Sequence, residues 1–478
     1  MTSHDDRSPI LVWFRQDLRL DDHPALAHAA ETGRPVVPLY VLDEESEGLR
    51  AWGGAHRWWL HHALDALGTA LKEHHLPLVL RRGPALREVV DVAKAAGAGA
   101  LWYNRRYGPG ERAVDEAVAE ALGDLDCQGF TGTILHEPEA VQTGSGGFYR
   151  VFTPFFRKLQ SLGDPRDPID PPKHLKTNDT SVRSDRLADW NLLPKKPNWS
   201  GGIDEAWQAG EDAAHQRFAA FQEEILAGYK DSRNLPAEDG TSRMSPHLHW
   251  GSVSPYRLWH DAQARGKGAE GAGAYRRELA WRDFNYHLLF HVADFTRANY
   301  DKRFDRFPWR KSPKDLEAWQ QGRTGYPLVD AGMRQLWQTG WMHNRVRMVA
   351  ASFLTKHLLI DWRAGEAWFW DTLVDGDAAN NVSQWQWVAG CGADAQPFFR
   401  IFNPIGQSRK FDKGGDYIRR FVPELAALPD KAIHAPWEAG EDVLDEAGVA
   451  LGKTYPKPIV DHEEARKRAL DAFAMIRG

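Results

Sequence analysis

Short apolar runs alternate with helical patterns through the first 130 residues. Residues 10–14, 35–42, 76–80 and 100–104 are rich in Val, Leu and Ile with little polar interruption, and predict strands. Between them, residues 23–31, 55–72, 85–96 and 111–125 carry helix-like patterns. A βαβα order with nearly continuous apolar strands predicts a parallel sheet covered on both faces. The first strand runs into Arg15-Gln16-Asp17-Leu18-Arg19 instead of G-x-G-x-x-G. The layer is therefore Rossmann-like without a pyrophosphate-cradling loop.

Periodicity weakens from about 135 to 205, where Gly144-Ser145-Gly146-Gly147, Asp164-Pro165, Pro168, Pro171-Pro172 and Pro194 give linker composition, packed over the surface. One piece, 148–159, is apolar enough to dock. Beyond 205 the long periodic segments are helical: 212–229, 276–292, 328–339, 341–359 and 366–373. The expected architecture is an α/β Rossmann-like N-terminal domain with a parallel sheet (1–132), an interdomain linker (133–205) and an all-α domain (206–478). No internal repeat or low-complexity tract is present.

Composition narrows the class. Of 478 residues, 42% are hydrophobic and 26% charged, as in a soluble globular protein. No apolar run approaches the roughly 18 residues that span a bilayer, and Met1-Thr2-Ser3-His4-Asp5-Asp6 lacks the marks of a signal peptide. Two cysteines, Cys127 and Cys391, exclude a disulfide framework, a four-cysteine zinc site and a four-thiolate iron–sulfur cluster. A reducing cytoplasm is the expected compartment. The net charge of −6 excludes a wholly basic nucleic-acid binder, yet the charge is uneven. Residues 1–130 hold 14 basic and 20 acidic side chains, whereas 276–347 hold 14 against 8 and 397–420 hold 6 against 2. Such stretches suit either a polyanion or a set of solvated helix faces. Twelve of the 21 tryptophans fall between Trp250 and Trp387, more than a core of that size requires.

Four segments of the helical half could carry chemistry. Gly240-Thr241-Ser242-Arg243-Met244-Ser245-Pro246 places three hydroxyls and an arginine before a helix, which suits a phosphate or an ordinary N-cap. The helix 275–292 sets Glu278, Trp281, Arg282 and Asn285 on one face. That pattern is either an i,i+4 surface pair or a base-stacking platform. In 341–348, Asn344, Arg347 and Met348 fall together while Arg345 points elsewhere, giving either a half-exposed face or polar groups awaiting a ligand. Asp375-Gly376-Asp377-Ala378-Ala379-Asn380-Asn381, then Trp385-Gln386-Trp387, is the densest stretch. Its carboxylates, with Asp371 upstream, could hold magnesium. They could equally accept from a heterocycle N–H or a ribose hydroxyl. No histidine lies nearby, and the pairs His61-His62 and His74-His75 face different ways on a helix, so no metal is expected.

These motifs resemble the photolyase/cryptochrome family of flavoproteins. The resemblance runs from Trp13-Phe14-Arg15-Gln16-Asp17-Leu18-Arg19-Leu20 to the stretch between Tyr455-Pro456 and Arg466. It is most specific at Gly240-Thr241-Ser242-Arg243, Thr324-Gly325-Tyr326-Pro327-Leu328-Val329-Asp330-Ala331, 340–348 and Arg400-Ile401-Phe402-Asn403-Pro404. It implies an antenna-type α/β domain and a helical domain holding FAD folded into a U. By position, Tyr229, Thr241, Ser242, Arg243, Ser245 and Tyr275 would line the adenine-phosphate side, with Tyr275 standing where some relatives have tryptophan. Arg347 and Asp375 would pair against the isoalloxazine, Asp377 would meet its N–H edge, and Asn381 falls near flavin N5. Trp385, Trp362 and Trp309 align with a chain of tryptophans that carries an electron to excited flavin. The spacing alone fits core aromatics equally well.

Within the family, the resemblance implies repair of UV-damaged DNA, with the dimer flipped into a pocket. Trp281 and Trp387 match its walls, and Glu278, Asn344 and Met348 match its hydrogen-bonding and sulfur contacts. Arg233, Arg282, Arg345 and Arg400 match arginines placed for flanking phosphates. Enzymes acting on the (6-4) photoproduct carry two histidines where this chain has Asn344 and Met348, so the cyclobutane pyrimidine dimer is the expected substrate. Light-excited reduced FAD would donate the electron, and Glu278 would stabilise the dimer anion. A blue-light receptor of the cryptochrome type is the alternative. Glu111 falls where folate-binding relatives carry a glutamate, with Gly110 in place of their asparagine, and implies 5,10-methenyltetrahydrofolate as antenna. The protein is expected to act as a monomer without a membrane.

Overall fold

Five strands, β1 (Ile10–Phe14), β2 (Pro35–Leu42), β3 (Val79–Arg82), β4 (Ala100–Asn104) and β5 (Asp126–Phe130), lie parallel in the order β3-β2-β1-β4-β5. The computed structural model describes residues 7–178, 182–265, 270–395 and 399–477. Met1–Asp6, Gly478 and the first two residues of the basic stretch 397–420 lie outside them. Every residue of β1 is buried, and apolar clusters cover both faces of the sheet. Covering both faces is what removes the polar alternation from such strands. The helices Pro24–Glu31, Gly54–Glu73, Ala85–Ala96 and Pro109–Leu122 fall within a few residues of their predicted positions. The pattern does not predict β5, because Asp126-Cys127-Gln128-Gly129-Phe130 is a half-exposed edge strand with little apolar signal. The third strand sits two to three residues later than its apolar run, ending in Arg81 and Arg82, and Arg81 bonds Glu88.

The charged segment after β1 is buried and locks the sheet to the helical half. Leu18 N–H donates to the Trp250 carbonyl at 3.1 Å. The Arg19 guanidinium donates to the carbonyls of Asp22 and Gly132, each at 2.8 Å, and of Gly251 at 3.1 Å. Gly251 has φ +69, and a Cβ there would stand 2.2 Å from the Gln16 oxygen, so only glycine permits this approach.

The connector is packed over the surface, as its composition predicts. The Asp283 carboxylate accepts from Leu135 N at 2.9 Å and His136 N at 3.2 Å, and burial raises its pKa to about 7. Lys176–Thr177 adds a short parallel strand beside the start of β2. The apolar piece forms the helix Phe152–Leu162, whose Phe152 stacks face to face on Trp281.

Beyond it the described elements are helical, as expected, and most of their apolar side chains form one large cluster. The predicted helix 341–359 is divided. It begins at Asn344, where His343 Nδ1 accepts from Arg345 N, ends at Ser352, and passes into a wide π turn, Phe353–His357. That turn buries Lys356, whose ammonium donates to the Ala389 carbonyl at 2.6 Å and sits 3.1 Å from the centre of the Phe399 ring.

Candidate cofactor and nucleic-acid site

A cavity of about 460 Å³ opens in the helical half, walled by the loop 241–245, the helices Glu270–His291, Asn344–Ser352 and Ala378–Ala389, and the turn 375–377. All ten residues expected to hold a cofactor line it: Tyr229, Thr241, Ser242, Arg243, Ser245, Tyr275, Arg347, Asp375, Asp377 and Asn381. The five expected at a lesion, Glu278, Trp281, Asn344, Met348 and Trp387, line the same space. Helical spacing brings them together: residues three and four apart share a face. Arg345, one step off the face of Asn344 and Met348, is outside the wall.

The loop before the helix Ser245–Trp250 is held from outside. Arg217 donates Nε to the Ser242 carbonyl at 3.1 Å and Nη2 to that of Thr241 at 2.9 Å, and grips Asp239 with both terminal nitrogens. Arg243 takes φ +54, rare for a side chain of its size, and its Nε lies 3.3 Å from Asp239. The ordinary N-cap reading fails here, since the cap position is Met244 and makes no side-chain bond. Ser245 instead donates its hydroxyl to Asp375 Oδ2 at 2.6 Å.

Arg347 Nη2 reaches the same Asp375 oxygen at 2.8 Å, and its Nε donates to the Met342 carbonyl at 2.7 Å. The other oxygen, Asp375 Oδ1, is buried and has no protein partner, as does the indole nitrogen of Trp385. Buried polar atoms are nearly always paired, so an orphan acceptor and an orphan donor at one cavity point to a polar ligand. Asp377 is differently placed. Its Oδ1 caps the helix Ala378–Ala389 by accepting from Ala379 N and Asn380 N, and its Oδ2 accepts from Asn380 Nδ2 at 2.8 Å. Burial raises its pKa. The carboxylates of Asp375 and Asp377 thus already serve hydrogen bonds. The cavity's size, its aromatic rings and these orphan atoms fit a large flat heterocyclic cofactor with N–H and carbonyl edges.

At the mouth, Glu278 pairs with Arg233 and both are half-buried. Phe152 covers one face of Trp281, with ring centres 3.6 Å apart at 6°. The exposed Arg400 stands 5.3 Å from the Trp387 ring. Arg345 donates to Asn234 Oδ1 at 2.6 Å with its guanidinium against Phe411. Arg282, expected at a phosphate, lines the cavity wall and is engaged by protein carbonyls. Its guanidinium turns inward, donating to the Thr133 carbonyl at 2.5 Å and to that of Leu248 at 3.4 Å, with Tyr286 beside it. On a helix it points about 100° away from Trp281, and that direction leads into the seam with the connector.

The three tryptophans of the expected relay differ in burial. Trp385 lines the cavity and touches Phe369 and Trp319 edge-on. Trp362 is fully buried and donates to Asn299 Oδ1 at 2.8 Å. Trp309 is half-buried against Phe307. Trp362 and Trp309 are outside the cavity wall. Sequence reasoning gave no role to Phe152 and Arg217, which support the site from distant segments, or to Asn234 and Trp341, which line it beside Arg233 and Asn344. Only the docking tendency of 148–159 hinted at one of them.

A second cavity, of about 70 Å³, lies at the carboxyl ends of β1 and β4, where the strand order changes direction. Arg15, Arg106, Trp52 and Glu111 line it. The Arg15 guanidinium lies 4.5 Å from both Trp13 and Tyr103. Glu111 is partly engaged, accepting from Gly108 N at 3.0 Å as it closes the start of its own helix.

Comparison with known proteins agrees with this arrangement. Residues 10–173 match the family model described as DNA photolyase, and residues 275–475 match the FAD binding domain of DNA photolyase. The chain is 51% identical over 474 residues to a deoxyribodipyrimidine photo-lyase of Agrobacterium fabrum, covering 98% of each. It is 35% identical to Cryptochrome-1 of Arabidopsis thaliana, covering 98% of this chain and 70% of that one. Among solved structures, a class III photolyase from Agrobacterium tumefaciens superposes with a TM-score of 0.95 at 50% identity, covering 100% of this chain and 99% of that one. With its sheet, its helical cavity and full-length relatives at this identity, the chain belongs to the photolyase/cryptochrome family.

Proposed function

We propose that the protein binds FAD and repairs cyclobutane pyrimidine dimers in DNA under blue or near-ultraviolet light. The observation that carries this reading is that the lesion set and the cofactor set share one cavity, so donor and dimer would meet without a conformational search. Reduced FAD, when bound, supplies the photoexcited electron that opens the cyclobutane ring. The protein does the rest. Asp375 and Arg347 present an acceptor and a fixed cation to the ring edge, and Thr241, Ser242 and Ser245 offer hydroxyls to the rest of the nucleotide. Trp281 and Trp387 flank the flipped dimer, while Glu278, Asn344 and Met348 meet its polar edges. Arg233, Arg345 and Arg400, on half-buried or exposed positions near the mouth, take the phosphates beside the lesion, and Arg282 is left to the seam.

We assign the sheet layer to 1–132 and the helical unit to 206–478, joined by 133–205. The second cavity, with Glu111, is the antenna position, and 5,10-methenyltetrahydrofolate is the pigment. Among the described residues no helix is long and apolar enough to cross a membrane. The two free cysteines suit a reducing cytoplasm, and the chain acts as a monomer.

The decisive experiment illuminates dimer-containing oligonucleotide with the FAD-reduced protein and measures restored thymines. Restoration is expected; intact dimers with fully reduced FAD present would overturn the repair reading in favour of a receptor. For the relay, Trp385→Phe is expected to keep its FAD but to slow photoreduction of the oxidised cofactor sharply. A wild-type photoreduction rate would leave Trp385 as part of the cavity wall only.

A further inference from the structure

Asn381 lines the cavity, yet its amide is held from behind by a carboxylate that the proposed mechanism does not use. Asn381 Nδ2 donates to Glu366 Oε1 at 2.9 Å and lies 3.3 Å from the Glu366 carbonyl oxygen. Both of these are acceptors only, so the amide must turn its NH2 toward Glu366; the opposite rotamer would set oxygen against oxygen. With the NH2 engaged, what Asn381 offers the cavity is its carbonyl oxygen.

Glu366 is itself fixed. Its side chain is 7% exposed, and its charge is matched by Arg50 from the loop after β2, whose Nη1 reaches Oε1 at 2.8 Å and Oε2 at 3.1 Å. Arg50 is held over the Trp370 ring at 4.3 Å, Trp370 also stacks with Trp52, and Trp370 Nε1 donates to the Ala51 carbonyl. The N-terminal layer thus supplies the cation that keeps a buried anion behind Asn381. Arg50 Nη1 holds both oxygens of that carboxylate, so it fixes the position from which Oε1 accepts from Asn381.

We propose that Glu366, held by Arg50, is a positioning residue that forces Asn381 to present an acceptor, and only an acceptor, to the isoalloxazine. This rests on the reading that FAD occupies the cavity with Asn381 near N5. The oxidised ring has a bare acceptor at N5 and the reduced ring carries N–H there. An acceptor-only neighbour therefore favours the reduced ring, and the Arg50–Glu366 pair sets how long the cofactor stays reduced in air.

The test measures dark re-oxidation of photoreduced, protein-bound FAD by air, together with FAD content, in wild type, Glu366→Leu, Glu366→Gln and Arg50→Ala. Glu366→Leu removes the shorter of the two contacts and leaves the amide only the backbone carbonyl of residue 366 at 3.3 Å, so its orientation is loosened; it is expected to re-oxidise about tenfold faster, the equivalent of one hydrogen bond of ordinary net strength. Glu366→Gln retains an acceptor and is expected to fall between. Arg50→Ala, at a position 44% exposed on the side chain and remote from the cavity wall, is expected to shift the rate in the same direction without loss of FAD. If Glu366→Leu fails to fold, the Gln and Ala variants carry the comparison. Wild-type re-oxidation rates in every FAD-containing variant would overturn the role of Glu366. A wild-type protein that holds no FAD would instead overturn the cofactor reading itself.

Discussion

Asp375→Ala is expected to give a colourless protein that melts below wild type. Asp375 is the only carboxylate that reaches both Arg347 and Ser245 across the cavity wall among the described residues. Removing it leaves Arg347 with the Met342 carbonyl and the Trp341 ring, 5.9 Å from its centre. Breaking a buried charge pair from one side costs about 3–5 kcal/mol. Arg347 is 23% exposed, so water reaches the stranded cation and the lower end of that range applies. The effect on the cofactor is larger than the effect on the fold. Asp375 Oδ1 is a buried acceptor without a protein partner, so a ligand that supplies a donor there adds a hydrogen bond the protein does not make with itself. Wild type should therefore gain thermal stability as FAD is added, and Asp375→Ala should not. The ratio of flavin to protein absorbance and thermal melts with and without added FAD measure both. Full FAD content at an unchanged melting temperature would remove Asp375 from the site.

The fold was legible where burial imposes a pattern. The first, second and fourth strands are buried on both faces, and their apolar runs mark their ends to the residue. β5 was not legible because an edge strand with one wet side needs no such run. Site residues were legible where they share a helix, as with Glu278 and Trp281 or Asn344 and Met348, since spacing alone sets a common face. What spacing cannot give is the environment of that face. Arg282 belongs to the same helix and also borders the cavity, yet carbonyls of Thr133 and Leu248 hold its guanidinium inward. Arg233 is half-buried at the mouth, but in the free protein its partner is Glu278. The supports come from still farther along the chain. Phe152 is supplied by the connector and Arg50 by the sheet layer, and neither carries a local signal of the contact it makes. The tryptophan excess is likewise resolved only in three dimensions: Trp250, Trp319 and Trp362 are fully buried, whereas Trp281 and Trp387 remain half-open beside the cavity.

Trp387→Ala is expected to weaken binding of dimer-containing DNA by about tenfold to a hundredfold in the dark, while leaving FAD content and affinity for undamaged duplex nearly unchanged. Loss of one aromatic stacking surface costs about 1–3 kcal/mol. On the proposed reading only the flipped dimer enters the cavity, so the loss should fall on lesion recognition. Undamaged DNA would be held chiefly by phosphate contacts from Arg345 and Arg400, which the substitution leaves in place. Trp387 is a better probe than Trp281. The Trp281 ring is stacked flat against Phe152 and packed against Phe284, so truncating it opens a void in the core as well as in the pocket. The Trp387 ring has Arg400 over it and, among the described residues, no stacked aromatic partner, although it also packs against the core cluster. Titration of fluorescent duplexes with and without a single dimer separates the two contributions. Equal weakening for both duplexes would mean that Trp387 acts through Arg400 on the phosphates. Unchanged affinity for the dimer would show that the lesion does not stack on this ring.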